Sequence, residues 1–363
     1  MKRSPSRLSI WRRRGEFGLT GAFLLCVAGP VLAAPQTVSE IATYAGADRQ
    51  AVLEAGAKRE GVVQVYTTGS QTQPIMNAFH AKYPFIRVEV YRGDAPEVAK
   101  RMIEEYKAGK FIADSPDLST DGLHQLRDAG YLQVFFSPEL AKIRPEAIEA
   151  GGHWANDFES YVSLGYNTKA ISEAEAPKTY DDLLDPKWKG KMAIGTSANT
   201  LANFTGAMII DKGEDFVRKL GQQQLRTYEL TGRAVANLVV SGEVALSPSI
   251  YNAHIANSKD QGASVAWRAL GTVFAQVGGV SIASRAPHPN ATMLFVDFNL
   301  SRDGQVMRQK LGYASARIDL ENAEKPSKIA YTLERPSYEQ DFERWLTLAR
   351  QVFGKGQAPA GGK

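Results

Sequence analysis

The run Val62-Val63-Gln64-Val65-Tyr66 is apolar at four of its five positions, with Gly61 before it and the polar stretch 67–74 after it. That pattern predicts a buried strand. Upstream, residues 48–60 are polar, with apolar positions near Ala51, Leu53 and Ala57, which predicts a helix buried along a narrow stripe. Downstream, Ile75, Met76, Phe79 and His80 recur at helical spacing, residues 87–91 read as a second strand, and residues 97–107 as a helix with Val98, Met102 and Ile103 inward. Strand, polar loop, helix, strand is a βαβ unit. Its parallel sheet places the Thr/Ser/Gln loop at a carboxyl end, where such sheets bind ligands.

Two more helical stretches follow, at 122–128 and 138–150, and a different region opens at 161–168. Residues 179–184 carry a cap and an acidic first turn, and 185–191 form a turn into the strand 192–194. That strand ends in Gly195-Thr196-Ser197-Ala198-Asn199-Thr200 and a helix through Met208. The strand, Ser/Asn loop, helix arrangement therefore occurs twice, as expected of two lobes of similar build. Beyond it lie a helix at 234–240, a short strand and loop at 244–249, a helix at 251–258, and extended stretches at 265–269 and 276–283. No Gly/Ser-rich linker separates the halves, so the chain is expected to cross between lobes more than once and to form a strand hinge. The expected division is 34–160 with 265–300 for the first lobe, 161–264 with 301–353 for the second, and a disordered tail at 354–363.

Composition changes this picture at one end only. The chain has 363 residues, 44% of them hydrophobic, and a formal charge of +4. Residues 1–33 hold Lys2, Arg3, Arg7, Arg12, Arg13 and Arg14 against Glu16 alone, which leaves 37 basic and 38 acidic groups in the rest. A nucleic-acid partner is not supported. The basic start, the apolar core from Phe17 to Val27 and the small residues at 33 and 34 form a secretory signal with cleavage expected after Ala33. The apolar run is short of the roughly 20 residues a spanning helix needs, and the aromatic after Arg13-Arg14 comes one place late for a twin-arginine address. Cys26, the sole cysteine, lies inside the signal after Leu25, which disfavours lipidation. The expected mature chain thus has no thiol, which excludes a cysteine nucleophile, a disulfide framework and thiolate zinc.

Catalytic motifs are missing as well. There is no Gly-x-Ser-x-Gly elbow, no phosphate loop and no His-Glu-x-x-His helix. His80, His124, His153, His254 and His288 include no i,i+3 or i,i+4 pair, so a histidine metal cluster is not expected. His288, in Pro287-His288-Pro289-Asn290, is read as structural, and Glu104-Glu105 and Asp181-Asp182 as solvated faces.

Several phrases in order carry a resemblance: Val65-Tyr66-Thr67-Thr68, Leu164-Gly165-Tyr166-Asn167-Thr168, Leu184-Asp185-Pro186-Lys187-Trp188-Lys189-Gly190-Lys191, Ser241-Gly242-Glu243-Val244, Ala286-Pro287-His288-Pro289-Asn290-Ala291, Phe295-Val296-Asp297-Phe298 and Ser301-Arg302-Asp303-Gly304-Gln305. Together they resemble the bacterial extracellular solute-binding proteins of ABC importers, in particular the branch that contains periplasmic ferric-ion binders. The resemblance implies an α/β, type II periplasmic-binding-protein fold, each lobe a mixed, mostly parallel sheet with flanking helices, and the solute held between the lobes. It also implies a monomeric periplasmic protein that serves an inner-membrane ABC permease, with no enzymatic activity and no resident cofactor; Fe(III) enters only as cargo.

The same resemblance suggests a site. The ferric branch uses a His near the first strand, a carboxylate on the next loop and two adjacent tyrosines, because hard Fe(III) prefers anionic oxygens. Here the first loop offers Thr68, Ser70 and Gln71 and no His; Thr120-Asp121 stands at the carboxylate position, and Ser249-Ile250-Tyr251-Asn252 keeps one tyrosine. Asp121 and Tyr251 are thus the expected metal ligands. Ser197, Asn199 and Thr200 match the family's anion turn, where unpaired helix amides favour phosphate or carboxylate, and Arg92 could add a forked donor pair. The expected cargo is ferric iron, with a synergistic anion; the alternative, without metal, is an organic anion (phosphonate, phosphate ester or carboxylate) or a polyamine. A periplasmic enzyme or a sensor partner on the same fold are the readings from other classes.

Overall fold

A computed structural model describes residues 36–69, 72–93, 95–322, 326–331 and 338–354. The expected signal, Ser70, Gln71 and the tail beyond Gly354 lie outside the described residues. The chain enters through α1 (Val38–Thr43), closed by a reciprocal Thr37–Glu40 capping box, and α2 (Arg49–Glu60). Gly61 ends α2 at φ 68°, a left-handed position that glycine adopts without strain, and so releases the chain into β1 (Val62–Thr67). Then come α3 (Gln73–Lys82), β2 (Arg87–Arg92), α4 (Ala95–Lys107), β3 (Ser115–Ser119), α5 (Thr120–Asp128) and the short β4 (Leu132–Gln133). Strands β2 and β3 flank β1, both parallel to it, as the βαβ pattern requires. Leu53, Phe79, Val98, Met102 and Leu123 are fully buried in the core of this lobe, whereas Ala51, expected on the inner stripe of α2, is exposed.

The helix expected over 138–150 is instead two 3-10 turns, Pro138–Lys142 and Pro145–Ala147. Pro145 lacks an amide proton and forces Arg144 into extended geometry, which stops the first turn. Strand β5 (Trp154–Asn167) then begins seven residues before the region expected to open at 161, and it is buried along its whole length. Its stretch Asn156-Asp157-Phe158-Glu159-Ser160 is polar, which hides the strand from a hydrophobicity pattern.

The second lobe adds β6 (Ala193–Gly195), α6 (Ala198–Lys212), α7 (Glu214–Gly221), β7 (Arg226–Tyr228), α8 (Gly232–Ser241), β8 (Leu246–Tyr251), α9 (Asn252–Asp260) and β9 (Val265–Arg268). Strand β10 (Thr272–Ala283) returns to the first lobe, followed by α10 (Pro289–Leu300) and α11 (Arg302–Lys310), and β11 (Lys328–Tyr331) and α12 (Tyr338–Phe353) close the chain. The main sheet runs β2-β1-β3-β10-β5-β8, with β4 and β11 on β10 and β9 on β5, while β6 and β7 pair separately.

Two long strands make the crossings. In β5, Trp154 and Ala155 belong to the first core and Val162, Leu164 and Tyr166 to the second; in β10, Phe274 belongs to the second and Val280, Ile282 and Ala283 to the first. The crossing lies within β10, so the expected boundaries at 265 and 301 shift. Leu270 and Phe274 pack in the second core, and Met307, Leu311 and Ala316 pack on the first.

One charged group differs from expectation, while His288 has the structural role expected of it. Glu105 is not a solvated face, since it accepts the Tyr66 hydroxyl at 3.0 Å and Arg101 Nε at 2.8 Å. His288 does not cap α10 with its side chain; its amide and ring bind the buried Asp114 carboxylate at 2.7 and 2.8 Å.

Helices α6 and α12 meet where Gly206 faces the buried Trp345, and a Cβ at Gly206 would lie 2.3 Å from the indole. Gly206→Ala should therefore destabilise the second lobe by about 1–3 kcal/mol through overpacking. Thermal or denaturant unfolding measures this, and an unchanged midpoint would show that the helix pair can separate freely.

Candidate functional site

The polar loop after β1 is held to the end of β3. The Thr68 amide donates to Asp117 O at 3.2 Å, and Thr68 Oγ1 accepts the Ser119 amide at 3.2 Å and lies 3.4 Å from Ser119 Oγ. Ser119 is the N-cap of α5 but makes no side-chain cap bond. The backbone amides of Gly122 and Asp121 favour the charged form of the Asp121 carboxyl. Burial nonetheless pushes the Asp121 carboxyl above the usual range. Thr120 is buried, and Arg92 is exposed, its Nε donating to Gly69 O at 3.0 Å.

On the second lobe three helices begin together. Ser197 is the N-cap of α6, Tyr251 of α9, and Gly232 is the first residue of α8. A Cβ on Gly232 would lie 3.1 Å from Thr200 Oγ1 and 3.5 Å from Tyr251 Cδ2, so the start of α8 packs closely against both. Ser197 Oγ donates to Thr200 Oγ1 at 3.1 Å, and Asn203 Nδ2 donates to the Tyr251 hydroxyl at 3.2 Å. Neither Ser197 nor Tyr251 caps its own helix with its side chain, which leaves first-turn amides of α6 and α9 open to another acceptor.

Electrostatics set the chemistry of this cluster. Burial pushes the Tyr251 phenol up to about 12 despite its hydrogen bonds with Asn203 and Thr200, so it is a neutral hydroxyl at physiological pH. His254, one turn on and 5.6 Å from the Tyr251 ring, is lowered to about 3 by burial and by the Arg233 charge, and is neutral too. Arg233, the cation whose charge acts on His254, donates to His254 O and Asn257 Oδ1, both at 3.2 Å. Neutral donors, helix amides and a cation make a setting for an anion.

The structure thus gathers the expected residues into two groups, Thr68, Thr120 and Asp121 on the first lobe and Ser197, Thr200 and Tyr251 on the second. Asn199 is exposed on the first turn of α6, and Ser70 and Gln71 lie outside the described residues. Sequence reasoning missed Ser119, Asn203 and Gly232. Asn203 was findable, since it follows Thr200 by three residues on one helix face. A cavity of about 500 Å³ lies beside the second group, bounded by Asn252, Lys259, Trp267, Gln309 and Tyr313 among others. None of the expected ligand residues lines it. Among the described residues no cluster of three or more His, Cys, Asp or Glu is placed to hold a metal ion.

Two α/β cores joined by paired crossing strands, with helix N-termini gathered beside the junction, define a type II periplasmic binding fold. The bacterial extracellular solute-binding protein family matches residues 119–340, and the chain belongs to that family. An uncharacterised protein of Haemophilus influenzae is 26% identical over 275 residues, 71% of this chain and 78% of its own. Iron uptake protein A1 of Synechocystis is 24% identical over 258 residues, 65% of this chain and 71% of its own. Among solved structures, iron-bound HitA from Pseudomonas aeruginosa has a TM-score of 0.64 at 24% identity, covering 80% of this chain and 99% of its own. AfuA from Actinobacillus pleuropneumoniae, solved with fructose-6-phosphate, has a TM-score of 0.64 at 23% identity, covering 81% and 99%. At these identities the structural likeness establishes the fold.

Tyr251→Phe should cost about 0.5–1.5 kcal/mol of stability through the hydrogen bond lost with Asn203. Chemical denaturation of the ligand-free protein measures this. No loss would mean that the phenol is not held by Asn203 in solution.

Proposed function

We propose that the protein is the solute receptor of a periplasmic ABC importer and that its cargo is an organic anion, a phosphate ester or a related phosphonate or carboxylate. The anion would sit on the first turns of α6, α8 and α9, touching Ser197, Thr200 and Tyr251, and be closed over by Thr68 and Arg92 from the first lobe. Closure follows because the ligand meets both lobes only in the closed form, and that differential affinity shifts the population.

One observation carries the choice of cargo: α6, α8 and α9 begin together, neither Ser197 nor Tyr251 caps its helix with its side chain, and the neutral hydroxyls of Ser197, Thr200 and Tyr251 stand beside those first turns. Helix amides and neutral donors favour an anion. AfuA, a neighbour solved with a sugar phosphate, supports this reading. Ferric iron is the second reading, favoured by the relatives named iron uptake protein A1 and Fe(3+)-binding periplasmic protein. Iron arriving with a chelating anion would need few protein ligands, and Asp121 and Tyr251 are the candidates.

The two cargoes give opposite colours. Purified protein mixed with ferric salt and phosphate or citrate should stay colourless, while thermal-shift screening with sugar phosphates, phosphonates and carboxylates should find a compound that raises the melting temperature and compacts the molecule in small-angle scattering. A visible phenolate-to-iron band that disappears in Tyr251→Phe would establish iron and reject the anion reading. A tight polyamine would reject both, and turnover of the bound compound would make the protein an enzyme.

A further inference from the structure

Strand β5 carries a bulge at the point where it leaves the first core. Phe158 pairs with Gly278 and Asn156 with Gly279, so Asp157 is an extra residue with no partner in β10. Such a bulge turns two consecutive side chains to one face. Here Asp157 and Phe158 both meet α11: Arg308 Nη2 binds Asp157 Oδ2, and its guanidinium stands 5.7 Å from the Phe158 ring centre. Gly278 is required opposite, because a Cβ there would collide with the Phe158 ring at 2.0 Å.

The same Arg308 nitrogen reaches Asp117 Oδ2 on β3 at 3.4 Å and Asn299 Oδ1 on α10 at 2.8 Å. Arg308, Asp117 and Asp157 are all buried, with side-chain exposures of 5, 1 and 0%. Oδ1 of each aspartate finds no partner among the described residues. Two buried carboxylates against one guanidinium leave a net charge of −1, which is expensive in a low-dielectric interior unless one acid is protonated. The other groups facing the cluster do not supply that charge. They are Tyr313, whose ring packs on Phe158 at 5.0 Å, the uncharged Asn299 and Gln305, and Gly278 and Val280 of β10. Burial pushes both carboxyls up, Asp157 to about 7, against the opposing pull of Arg308.

The cluster is wired to the first-lobe half of the candidate site. Asp117 O accepts the Thr68 amide, and two residues on, the Ser119 amide donates to Thr68 Oγ1. We propose that Asp117 and Asp157 share a single proton beside the Arg308 guanidinium and that this triad, set between the crossing strand and the strand that anchors Thr68, positions the first-lobe binding loop. This rests on the reading of Thr68 and Ser119 as part of the site, and the proton is a property of the pair of acids, not of either one. With the proton in place the triad is neutral and ties β3 to β5. Without it, two carboxylates repel across one guanidinium, and the end of β3 loosens.

The sign follows from linkage. An acid raised from 3.8 to about 7 on folding holds a proton in the folded chain that the unfolded chain has lost. Its contribution is therefore intact below pH 4, falls as pH rises to about 7, and is flat above, with the unfolding constant rising by up to about tenfold per pH unit inside that window. His288, raised by Asp114, acts in the same direction, so the readout is the difference between wild type and variant. In the ligand-free full chain, Asp157→Asn should flatten the fall in melting temperature between pH 5 and 7.5. It should also abolish the wild-type loss of hydrogen-exchange protection at the Thr68 and Ser119 amides on raising the pH, after correction for intrinsic exchange. Asp117→Asn should do the same and serves if Asp157→Asn does not fold. Equal pH slopes in wild type and variant would overturn the shared proton. A flattened slope with unchanged protection at Thr68 and Ser119 would overturn the link to the loop. Neither measurement uses a ligand, so both stand apart from the choice between anion and iron.

Discussion

A strand that passes from one hydrophobic core to another has to satisfy its backbone on both edges while its side chains lie between two lobes. In this fold β5 and β10 meet that demand by pairing with each other for most of their length, from Phe274 opposite Val162 to Ser281 opposite Trp154. Everything else hangs on that antiparallel pair. The first lobe attaches through β3 on one edge of β10, and the second attaches through β8 and β9 on β5. The glycines of β10 are explained by the same constraint, since Phe158 and Trp154 occupy the space that side chains at Gly278 and Gly279 would need.

The crossing also explains where polar residues are buried. Ser160 and the Tyr161 amide both donate to Asn252 Oδ1, at 3.1 and 2.7 Å, and Asn252 Nδ2 donates to Gly312 O at 3.1 Å. The residue directly after Tyr251 therefore links β5 to the turn that follows α11. Packing alone would let two lobes slide, whereas hydrogen bonds of fixed direction define the register in which they meet. The Asn252 side chain is thereby engaged in the junction.

The elements with strong periodicity were legible in the sequence. The first βαβ unit stands where apolar spacing and turn residues put it, and the start of α6 was read from its Ser/Asn turn, since α6 is buried all along Thr200–Met208 and shows no one-faced pattern. The misses share a cause. Strand β5 was not read before residue 161, since the polar side chains from Asn156 to Ser160 are buried against partners distant in sequence, among them Arg308 on α11. The boundary expected at 265 missed the crossing for a related reason, as no local pattern marks the change of core inside β10. Proline chemistry at Pro145 was overlooked where helical spacing suggested a longer element.

The site was half legible, and the unread half is electrostatic. Residue types at Ser197, Thr200 and Tyr251 announce hydrogen bonding, but whether Tyr251 acts as a phenolate or a phenol depends on how deeply it is enclosed by α6 and α8. The same physics acts on both sides of the junction. Burial raises the proton affinity of Tyr251 and Asp121 at the candidate site and of Asp117 and Asp157 in the triad. In the triad a guanidinium compensates for one charge, so one proton suffices to neutralise the remainder. At Tyr251 the partners within hydrogen-bond reach are neutral donors, Asn203 and Thr200. A group surrounded by donors can gain an anionic acceptor without giving up its proton, and that asymmetry is why the second-lobe cluster reads as a seat for an anion before it reads as a cage for a cation.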